Sequence, residues 1–469
     1  MKAPKYKMIS DYIKEQITNG TWPVGSRLPS QRELARQFEV NRSTIITALD
    51  ELAADGLIEG KLGMGTVVIN NTWTLMRAVP PVNWNEQVEL GSHQASKPTV
   101  QAINKAESDE NLIQLSKGEL SKELFPLDDM RAVITKVGQN LEPFGYEEPK
   151  GNPLLREAIS KYLSQKDIKV PTSSILVVSG ALQALHLISI GLLERGSTVF
   201  LEDPSYINSL STFQSAGMKL QGIPIDKEGI LPEKIENVHQ HKNSVLYCHP
   251  TFHNPTGAIM GEKRRQELLK LAENEQIPLI EDDVYGDLWL DNPPPLPIKS
   301  HDRHGNVLYL GSLSKSLNPG LRIGWIVGPE AVIDRLADLK MQTDYGTSSI
   351  SQRAAAEWLS SGLYEKHLLR VRKHLKDRRN AVMLALDKHL SRYAEWEKPS
   401  GGFFIWVDFK AEVALSDLYR KALANGVLIN PGRIYSNQKS QHFRLSFANG
   451  RIDDIVKGIA VLESLIEDC

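Results

Sequence analysis

The sequence of 469 residues has little cysteine, no apolar leader and almost no net charge. Its two cysteines, Cys248 and Cys469, are too few for the disulfide framework of a small secreted protein, so we expect a protein of the reducing cytoplasm. The N-terminus begins with charged and polar residues and lacks the apolar core of a signal peptide, which argues against export. Lysine and arginine number 55 against 57 aspartates and glutamates, so the chain as a whole has no field that attracts nucleic acid or membranes. Any nucleic-acid site must be local.

The sequence also lacks a clear membrane span. The longest stretch without a charged residue, 170–193, contains Ser179, Gly180, Gln183 and His186, and we predict a strand, a tight turn and a buried helix there instead. Apolar residues make up 41% and charged residues 24%, the ordinary mixture of a globular protein. The length exceeds the roughly 250–300 residues of a single core, so we expect two or three domains.

The first 69 residues have the pattern of three helices and two strands. An amphipathic pattern over 6–19 predicts a first helix with Met8, Ile9, Tyr12, Ile13 and Ile17 on one side. Ser30 and Glu33 have the spacing of a capping box for a second helix, and a third runs from Asn41 to Gly56. Two short strands around a glycine-rich turn follow. This order predicts a winged helix-turn-helix over residues 1–69.

A helix-turn-helix places the first turn of its second helix in the major groove of DNA. That turn contains Arg42, Ser43 and Thr44. Arg27 and Arg32 flank the start of the preceding helix. The tip of the predicted wing contains Lys61, Gly63 and Gly65. These residue types bind phosphates and base edges, which points to DNA. From charge alone, a three-helix protein-interaction module with an exposed arginine face is nearly as good an interpretation.

The motifs decide between these two interpretations. The elements RLPSxREL, VxRxT, LxxxGL and GxGT follow one another over about residues 6–69, and this order resembles the winged-helix domain of the GntR family of bacterial transcription regulators. The resemblance implies DNA contacts at Arg32, Arg42, Ser43, Thr44 and Gly65. Asn41 stands where the family usually has serine, which alters a phosphate contact or a helix cap and leaves the fold intact.

Beyond residue 69 the pattern changes twice. Residues 70–89 contain a Pro-Pro pair, several asparagines and no sustained periodicity, so we predict a linker. Over 90–469, seven β-rich runs alternate with helical segments, which predicts an α/β domain with a mostly parallel sheet. A long helical run over 350–390 and two further strands predict a smaller α+β C-terminal subdomain, about 346–469. We find no internal repeat.

Several predicted strands of this domain end in residues that suit pyridoxal phosphate. That cofactor needs a lysine for its aldehyde, an acid for its pyridine nitrogen, and donors for its O3′ and phosphate. Lys315 follows a strand, with Ser312, Ser314 and Arg322 nearby as phosphate ligands. Asp282 and Tyr285 leave one strand end as candidates for the pyridine nitrogen and O3′.

Two further strand ends complete the set. Asn254 in HNPTG is a second donor for O3′, and the N–H groups of Gly180, Ala181 and Leu182 at a predicted helix start can bind phosphate. Each residue taken singly has an ordinary alternative, such as a surface lysine at 315, a helix cap at 282, a simple turn at NPTG or an ion pair at Arg322. Together, and in this order, they predict a cofactor site; we predict no metal site.

The order of SGA, EDPSY, NPTG, EDDxY, SLSK and GLRxGW resembles fold-type-I, class I aminotransferases over about residues 110–469. The resemblance implies that Tyr206 stacks on the pyridine ring, that Tyr146 of the neighbouring subunit touches the phosphate, and that Arg444 binds an amino acid's α-carboxylate. The alternative for Arg444 is a structural ion pair. Two details differ from common forms: His253 replaces a frequent glutamine, which affects the substrate pocket, and the phosphate turn reads Gly-Ala-Leu instead of Gly-Ser-Gln, which affects side-chain phosphate contacts.

A GntR-type winged helix followed by an aminotransferase-like domain resembles the MocR regulators. That resemblance implies a homodimer in which the winged helix often crosses onto the partner subunit. Our main hypothesis is a pyridoxal-phosphate-dependent transcription regulator that senses an amino acid, an amine or the cofactor itself through aldimine chemistry at Lys315, with operator DNA as its macromolecular partner. Two alternatives stay open: a working aminotransferase that makes 2-oxo acids and carries an appended DNA-binding domain, and a vestigial, purely structural cofactor site.

Overall fold

The computed structural model describes residues 4–61, 65–71, 84–91, 93, 95–141, 145–236 and 243–467, and it divides into two units, Met1–Ser92 and His93–Cys469. The elements of the first unit are α1 (Lys5–Thr18), α2 (Gln31–Gln37), α3 (Arg42–Ala54), β1 (Ile58–Lys61), β2 (Gly65–Val68) and α4 (Trp84–Leu90). Strands β1 and β2 pair antiparallel as a wing after the three helices. The predicted winged helix-turn-helix fold is therefore confirmed.

Local sequence explains how the first unit folds. The Ser30 hydroxyl accepts a hydrogen bond from the Glu33 N–H, and the Glu33 carboxylate accepts one from the Ser30 N–H, which is the predicted capping box at the start of α2. Helix α1 buries Ile9, Ile13 and Ile17. Met8, expected on the same side, is exposed, because each residue turns the helix by about 100° and Met8 lies off the buried stripe.

Part of the predicted linker folds. Residues 72–83 lie outside the described residues, as do Gly63 of the predicted wing tip and Cys469. Trp84–Leu90, most of which we expected to be linker, is helix α4. Its segment contains Glu, Gln and Leu, which favour helices, and at two turns it is too short for an amphipathic repeat to show.

The second unit contains two main sheets with helices around them. Its helices are α5 (Pro98–Ala106), α6 (Leu127–Gln139), α7 (Pro153–Ser164), α8 (Ala181–Gly191), α9 (Thr212–Ser215), α10 (Glu262–Asn274), α11 (Ile298–His301), α12 (Glu330–Thr343), α13 (Ser349–Ser360), α14 (Leu363–His389), α15 (Leu415–Ala424) and α16 (Ile452–Glu467). Its strands are β3 (Ile113–Gln114), β4 (Ile175–Val178), β5 (Thr198–Asp203), β6 (Lys219–Asp226), β7 (Gly229–Ile230), β8 (Val245–Cys248), β9 (Leu279–Asp282), β10 (Val307–Ser312), β11 (Gly324–Val327), β12 (Ala394–Trp396), β13 (Phe404–Phe409), β14 (Val427–Leu428), β15 (Asn430–Pro431) and β16 (His442–Ser446).

The large sheet has eight strands in the order β4-β11-β10-β9-β8-β5-β6-β7. Strands β10, β9, β8, β5 and β6 are parallel neighbours, and the remaining pairs are antiparallel, so the predicted mostly parallel α/β sheet is confirmed. Its inner strands are buried along their length because helices cover the sheet. The parallel order brings the carboxyl ends of β8, β9 and β10 to one edge of the sheet, where ligands bind in such folds.

The smaller sheet has the order β12-β13-β16-β15. The run over 350–390, expected as one helix, forms two, α13 and α14. Gly362 adopts a left-handed conformation, with φ of +79°, directly before α14, and that conformation cannot continue a right-handed helix. The stretch 170–193 contains β4, a turn and α8, as predicted, and no helix in the described part of the chain is both long and apolar enough to cross a bilayer.

Candidate cofactor site and DNA interface

A cavity of about 450 Å³ opens at the carboxyl edge of β8, β9 and β10. It is lined by twelve residues that the sequence singled out: Gly180, Ala181, Leu182, Tyr206, Asn254, Asp282, Tyr285, Ser312, Ser314, Lys315, Arg322 and Arg444. These residues come from seven separate segments of the sequence. The parallel register of the strands is what brings the motifs that follow β8, β9 and β10 together.

Lys315 lies in the turn after β10 and carries the amine of the cavity. Its Nζ donates a hydrogen bond to the Gly118 carbonyl oxygen at 2.9 Å and lies 6.0 Å from the centre of the Tyr285 ring. Burial lowers the pKa of this amine; the nearby Glu119 opposes that shift and Arg444 reinforces it. A lowered pKa increases the neutral fraction of the amine, and the neutral amine is the form that attacks an aldehyde.

One end of the cavity is arranged as an anion receptor. Helix α8 begins at Ala181, so its first N–H groups have no partner within the helix. Arg322 Nη2 donates to the Ser179 carbonyl oxygen at 2.6 Å beside this helix start. A Cβ atom on Gly180 would lie 2.8 Å from Arg322 Nη2, so only glycine leaves room for the guanidinium. Helix N–H groups and a guanidinium suit a phosphate group.

The two serines near this end differ in their bonds. Ser312 Oγ accepts a hydrogen bond from the Ser314 N–H at 3.1 Å and donates one to the Ile323 carbonyl oxygen at 3.1 Å. Its only proton is therefore already engaged in a hydrogen bond within the protein. Ser314 Oγ is buried and has no hydrogen-bond partner among the described residues. A buried hydroxyl without a partner is costly, so Ser314 is the serine whose hydroxyl is free for a ligand.

Asp282 and Tyr285 lie at the end of β9. Tyr247 Oη donates to Asp282 Oδ2 at 2.8 Å, and the Val284 N–H approaches Asp282 Oδ1 at 3.4 Å. Tyr285 Oη is buried and has no partner in the part of the chain that the structure describes, and the Tyr285 ring stacks on His249 with 5.5 Å between ring centres. Burial raises the pKa of the Tyr285 phenol, so it remains a hydrogen-bond donor.

Arg444 reaches the cavity from β16 of the smaller sheet. Its Nη1 donates to Asn254 Oδ1 at 2.7 Å and its Nη2 to the Ser116 carbonyl oxygen at 2.6 Å, while its Nε has no partner among the described residues. The guanidinium carbon lies 3.8 Å from the centre of the Phe404 ring, which holds it in place from one side. Arg444 makes no ion pair in the described part of the chain, so the ordinary alternative for this residue lacks support.

The unpartnered groups of this cavity fit the cofactor that the sequence predicts. Within the described residues, Tyr285 Oη, Ser314 Oγ and Arg444 Nε are all buried without partners, and Gly180 leaves space beside a guanidinium. Tyr285 Oη can donate to a phenolic oxygen, Ser314 Oγ and the Arg322 guanidinium can donate to a phosphate, and Arg444 Nε can donate to a carboxylate. Native proteins rarely leave so many buried polar groups unsatisfied in one place unless a ligand binds there.

Family models match both parts of the chain. Residues 5–68 match the bacterial regulatory proteins of the gntR family, and residues 110–462 match aminotransferase class I and II. This chain belongs to the MocR-type GntR regulators. An uncharacterized HTH-type transcriptional regulator of Bacillus subtilis, YdfD, is 57% identical over 100% of this chain and 97% of its own length. The HTH-type transcriptional regulator NorG of Staphylococcus aureus is 37% identical over 90% of this chain and 95% of its own.

Solved aminotransferases share the fold of this MocR-type regulator. Kynurenine aminotransferase of Pyrococcus horikoshii, solved in complex with PMP, superimposes with a TM-score of 0.75 at 32% identity over 80% of this chain and 95% of that chain. The α-aminoadipate aminotransferase LysN of Thermus thermophilus, complexed with N-(5'-phosphopyridoxyl)-L-leucine, gives 0.75 at 26% identity over 82% and 99%. The predicted fold-type-I aminotransferase fold is confirmed.

The residues predicted to contact DNA lie at the start of α3, at and before the preceding helix α2, and on the wing. Arg42 is the first residue of α3, and its Nε donates to Gln31 Oε1 at 2.9 Å, which joins the starts of α3 and α2. Arg27 lies against the wing, since a Cβ on Gly65 would lie 3.0 Å from Arg27 Nε. The predicted contacts Arg27, Arg32, Arg42, Ser43 and Gly65 are exposed, and Thr44 is half-buried.

Tyr146 is the one predicted cofactor ligand that does not line the cavity. It is 80% exposed, and its ring lies 4.8 Å from that of Tyr345. The resemblance assigns Tyr146 to the cavity of the neighbouring subunit, so its role there stays a prediction.

The cavity also contains residues that the sequence did not single out: Glu107, Lys117, Glu119, His249 and Tyr435. His249 directly follows β8, so the rule that polar residues after a parallel strand meet at one edge could have found it. Glu107, Lys117 and Glu119 flank the short strand β3, which reaches the site by pairing with β14. No local motif signals that pairing.

Proposed function

We propose that this MocR-type transcription regulator uses pyridoxal phosphate at Lys315 to sense an amino acid or an amine, or the cofactor itself, and that ligand binding changes its affinity for operator DNA. The observation that supports this most directly is the cavity, where one buried lysine of lowered pKa faces buried donors without partners. The winged helix on the same chain supplies the output. The cofactor and the regulatory role agree with the two families that the chain joins.

Each side chain of the cavity has a stated task in this proposal. Bound pyridoxal phosphate supplies an aldehyde carbon at which one amine can replace another. Lys315 Nζ, already held by the Gly118 carbonyl, is the resident amine. Asp282 would accept a hydrogen bond from the protonated pyridine nitrogen and so keep that nitrogen protonated, and Tyr285 and Asn254 would donate to O3′.

The remaining ligands bind the two anionic groups. The N–H groups of Gly180, Ala181 and Leu182, with Arg322, Ser314 and the nearby Ser312, bind the phosphate, and Tyr206 covers the pyridine ring. Arg444 binds the carboxylate of an amino acid, because a guanidinium forms two parallel hydrogen bonds with a carboxylate. Ligands with an α-carboxylate are therefore preferred over simple amines.

The signal requires two arrangements of the protein that a ligand distinguishes. Arg444 belongs to the smaller sheet and Asn254 to the large domain, so a carboxylate on Arg444 acts where these two parts meet. A coupling of about 1–3 kcal/mol between the ligand and DNA changes DNA affinity about 5- to 150-fold. We place this regulator in the cytoplasm as a homodimer, in which Tyr146 completes the phosphate site of its partner and two winged helices bind two half-sites of the operator.

The experiment measures DNA affinity with and without ligand. Genomic fragments bound by the protein are isolated, and their affinity is measured by fluorescence anisotropy with pyridoxal phosphate and each of the common amino acids. We expect at least one ligand to change affinity by 5-fold or more, and Lys315→Arg, which keeps the charge, to abolish that change. Arg42→Ala is the matched control, since it should weaken DNA binding and leave the cofactor absorbance intact. If no ligand alters DNA affinity, the proposal is wrong.

The completeness of the ligand set favours a second candidate function, amino-group transfer. A transaminase must return to its starting state with a second keto acid, whereas a sensor reacts once. Sustained keto-acid formation from amino acids and 2-oxoglutarate would support turnover, and a single spectral change without keto-acid accumulation would support sensing.

A further inference from the structure

A buried tyrosine lies directly behind the acid of the cofactor cavity. Tyr247 belongs to β8, where it pairs with Ile280 of β9, and its Oη donates to Asp282 Oδ2 at 2.8 Å. Tyr247 is 1% exposed and does not line the cavity. The other carboxylate oxygen, Asp282 Oδ1, accepts a long bond of 3.4 Å from the Val284 N–H. One oxygen is therefore bonded from behind, and the other retains capacity for a ligand.

The hydroxyl of Tyr247 is a polar group among apolar neighbours. The ring packs in a cluster that includes Val178, Leu201, Ile280 and Leu310. Within the described residues the hydroxyl has no hydrogen-bond partner other than Asp282. Phenylalanine would fill the same space without a hydroxyl to satisfy, so packing alone does not account for the tyrosine.

We propose that Tyr247 is a positioning residue for the cofactor's pyridine nitrogen: its hydroxyl holds the Asp282 carboxylate in the orientation that directs the other oxygen into the cavity. This inference rests on the proposed function, since it concerns the same site. An ionised carboxylate accepts hydrogen bonds and donates none, so the Tyr247 hydroxyl must be the donor. Burial and the charge of Asp282 raise the pKa of the Tyr247 phenol, which keeps its proton in place.

The sheet contains a matched control for this pair. Tyr309 on β10, the other neighbour of β9, donates to Asp283 Oδ2 at 2.8 Å and is also 1% exposed. Asp283 is the next residue after Asp282, does not line the cavity and lies 3.3 Å from Lys166 Nζ. Each tyrosine therefore donates one hydrogen bond of the same length to a buried aspartate, but only Tyr247 bonds an acid that faces the cavity.

The test compares wild type, Tyr247→Phe and Tyr309→Phe, each loaded with pyridoxal phosphate labelled with ¹⁵N at the ring nitrogen. The ¹⁵N chemical shift reports whether that nitrogen carries a proton, which a merely structural role would not change. We expect Tyr247→Phe to move the shift toward the unprotonated value and to weaken cofactor binding about 10-fold, the effect of one hydrogen bond to a charged group. Tyr309→Phe should leave both unchanged.

Three other outcomes would contradict either the role of Tyr247 or the proposed function. Equal ¹⁵N shifts in the two variants and wild type overturn the role of Tyr247. Failure of Tyr247→Phe to fold while Tyr309→Phe folds also overturns it, because the hydroxyl would then serve the fold instead of the acid. If wild type binds no pyridoxal phosphate, the proposed function itself fails, and the inference fails with it.

Discussion

Gly180, at the start of α8, is the position where one added methyl group tests the phosphate end of the cavity. Its backbone has φ of +89° and ψ of 165°, a region that residues other than glycine seldom occupy. A Cβ atom there would lie 2.8 Å from Arg322 Nη2 and 3.3 Å from its Cζ. Gly180→Ala therefore strains the backbone and displaces the guanidinium that we assign to the phosphate.

The two effects have different magnitudes and different readouts. The strained backbone costs about 1–3 kcal/mol of folding free energy. Loss of a hydrogen bond to a charged group costs about 1.5–3 kcal/mol of binding free energy, which raises the Kd for pyridoxal phosphate about 10- to 150-fold. The first effect appears in thermal unfolding of the apoprotein, and the second in absorbance titration with the cofactor.

Two variants separate these effects. Gly196 also has a positive φ, +91°, and a Cβ there meets nothing within 4 Å, so Gly196→Ala has the backbone strain without a displaced neighbour. In an Arg322→Ala background, Gly180→Ala should change the cofactor Kd by less than about 3-fold, because the group that it displaces is already absent. If Gly180→Ala binds cofactor as well as Gly196→Ala, or weakens binding equally in both backgrounds, the assignment of Arg322 to the phosphate is wrong.

Three further changes have defined outcomes. Arg42→Ala should weaken DNA binding and reduce the slope of log affinity against log salt by about one, as measured by anisotropy titrations; an unchanged slope would argue against a phosphate contact. Arg444→Lys should weaken binding of an amino acid about 10-fold or more and leave the matching amine without a carboxylate unaffected, as shown by spectral titration; equal losses for both ligands would contradict the role. Burial raises the pKa of Glu202 to about 7 from the usual 4.5, so its contribution to stability is present below about pH 4.5 and is lost as pH rises through 7. Glu202→Gln should therefore gain stability over wild type by at most about 3 kcal/mol at about pH 8 and little at about pH 5 in urea unfolding; a pH-independent difference would contradict the shift.

Local signals made much of the site predictable. The capping box of Ser30 and Glu33 needs only contacts three residues apart, so its sequence pattern determines its structure. Lys315 lies just after, and Asp282 at the end of, a short β-rich run, and parallel strands bring the residues at their carboxyl ends to one edge. The motifs therefore indicated both the chemistry and its place in the fold.

Contacts between distant segments were not predictable in this way. Tyr247 lies inside an apolar run, where a tyrosine looks like any core aromatic until its partner Asp282 is known. Glu107 and Glu119 reach the cavity only because β3 pairs with β14 more than 300 residues later. The sequence did not predict the end of α13, because the helical pattern of apolar residues continues on both sides of Gly362. A single glycine does not interrupt that pattern.

Arg444 shows how the two parts of the cavity depend on one another. Its guanidinium donates to Asn254 Oδ1 and to the Ser116 carbonyl oxygen, and its Nε has no partner within the described part of the chain. The bond to Asn254 Oδ1 turns that amide so that Nδ2 is its remaining donor, and Nδ2 is the group that we assign to O3′ of the cofactor. A carboxylate bound as we propose at Arg444 would compete with Asn254 for the same guanidinium, so it would alter the proposed contact to the cofactor as well as the contact between the large domain and the smaller sheet. Under the proposed assignments, recognition of the carboxylate and the state of the cofactor would be linked through one side chain, which is the coupling that a sensor requires and that a simple binding pocket lacks.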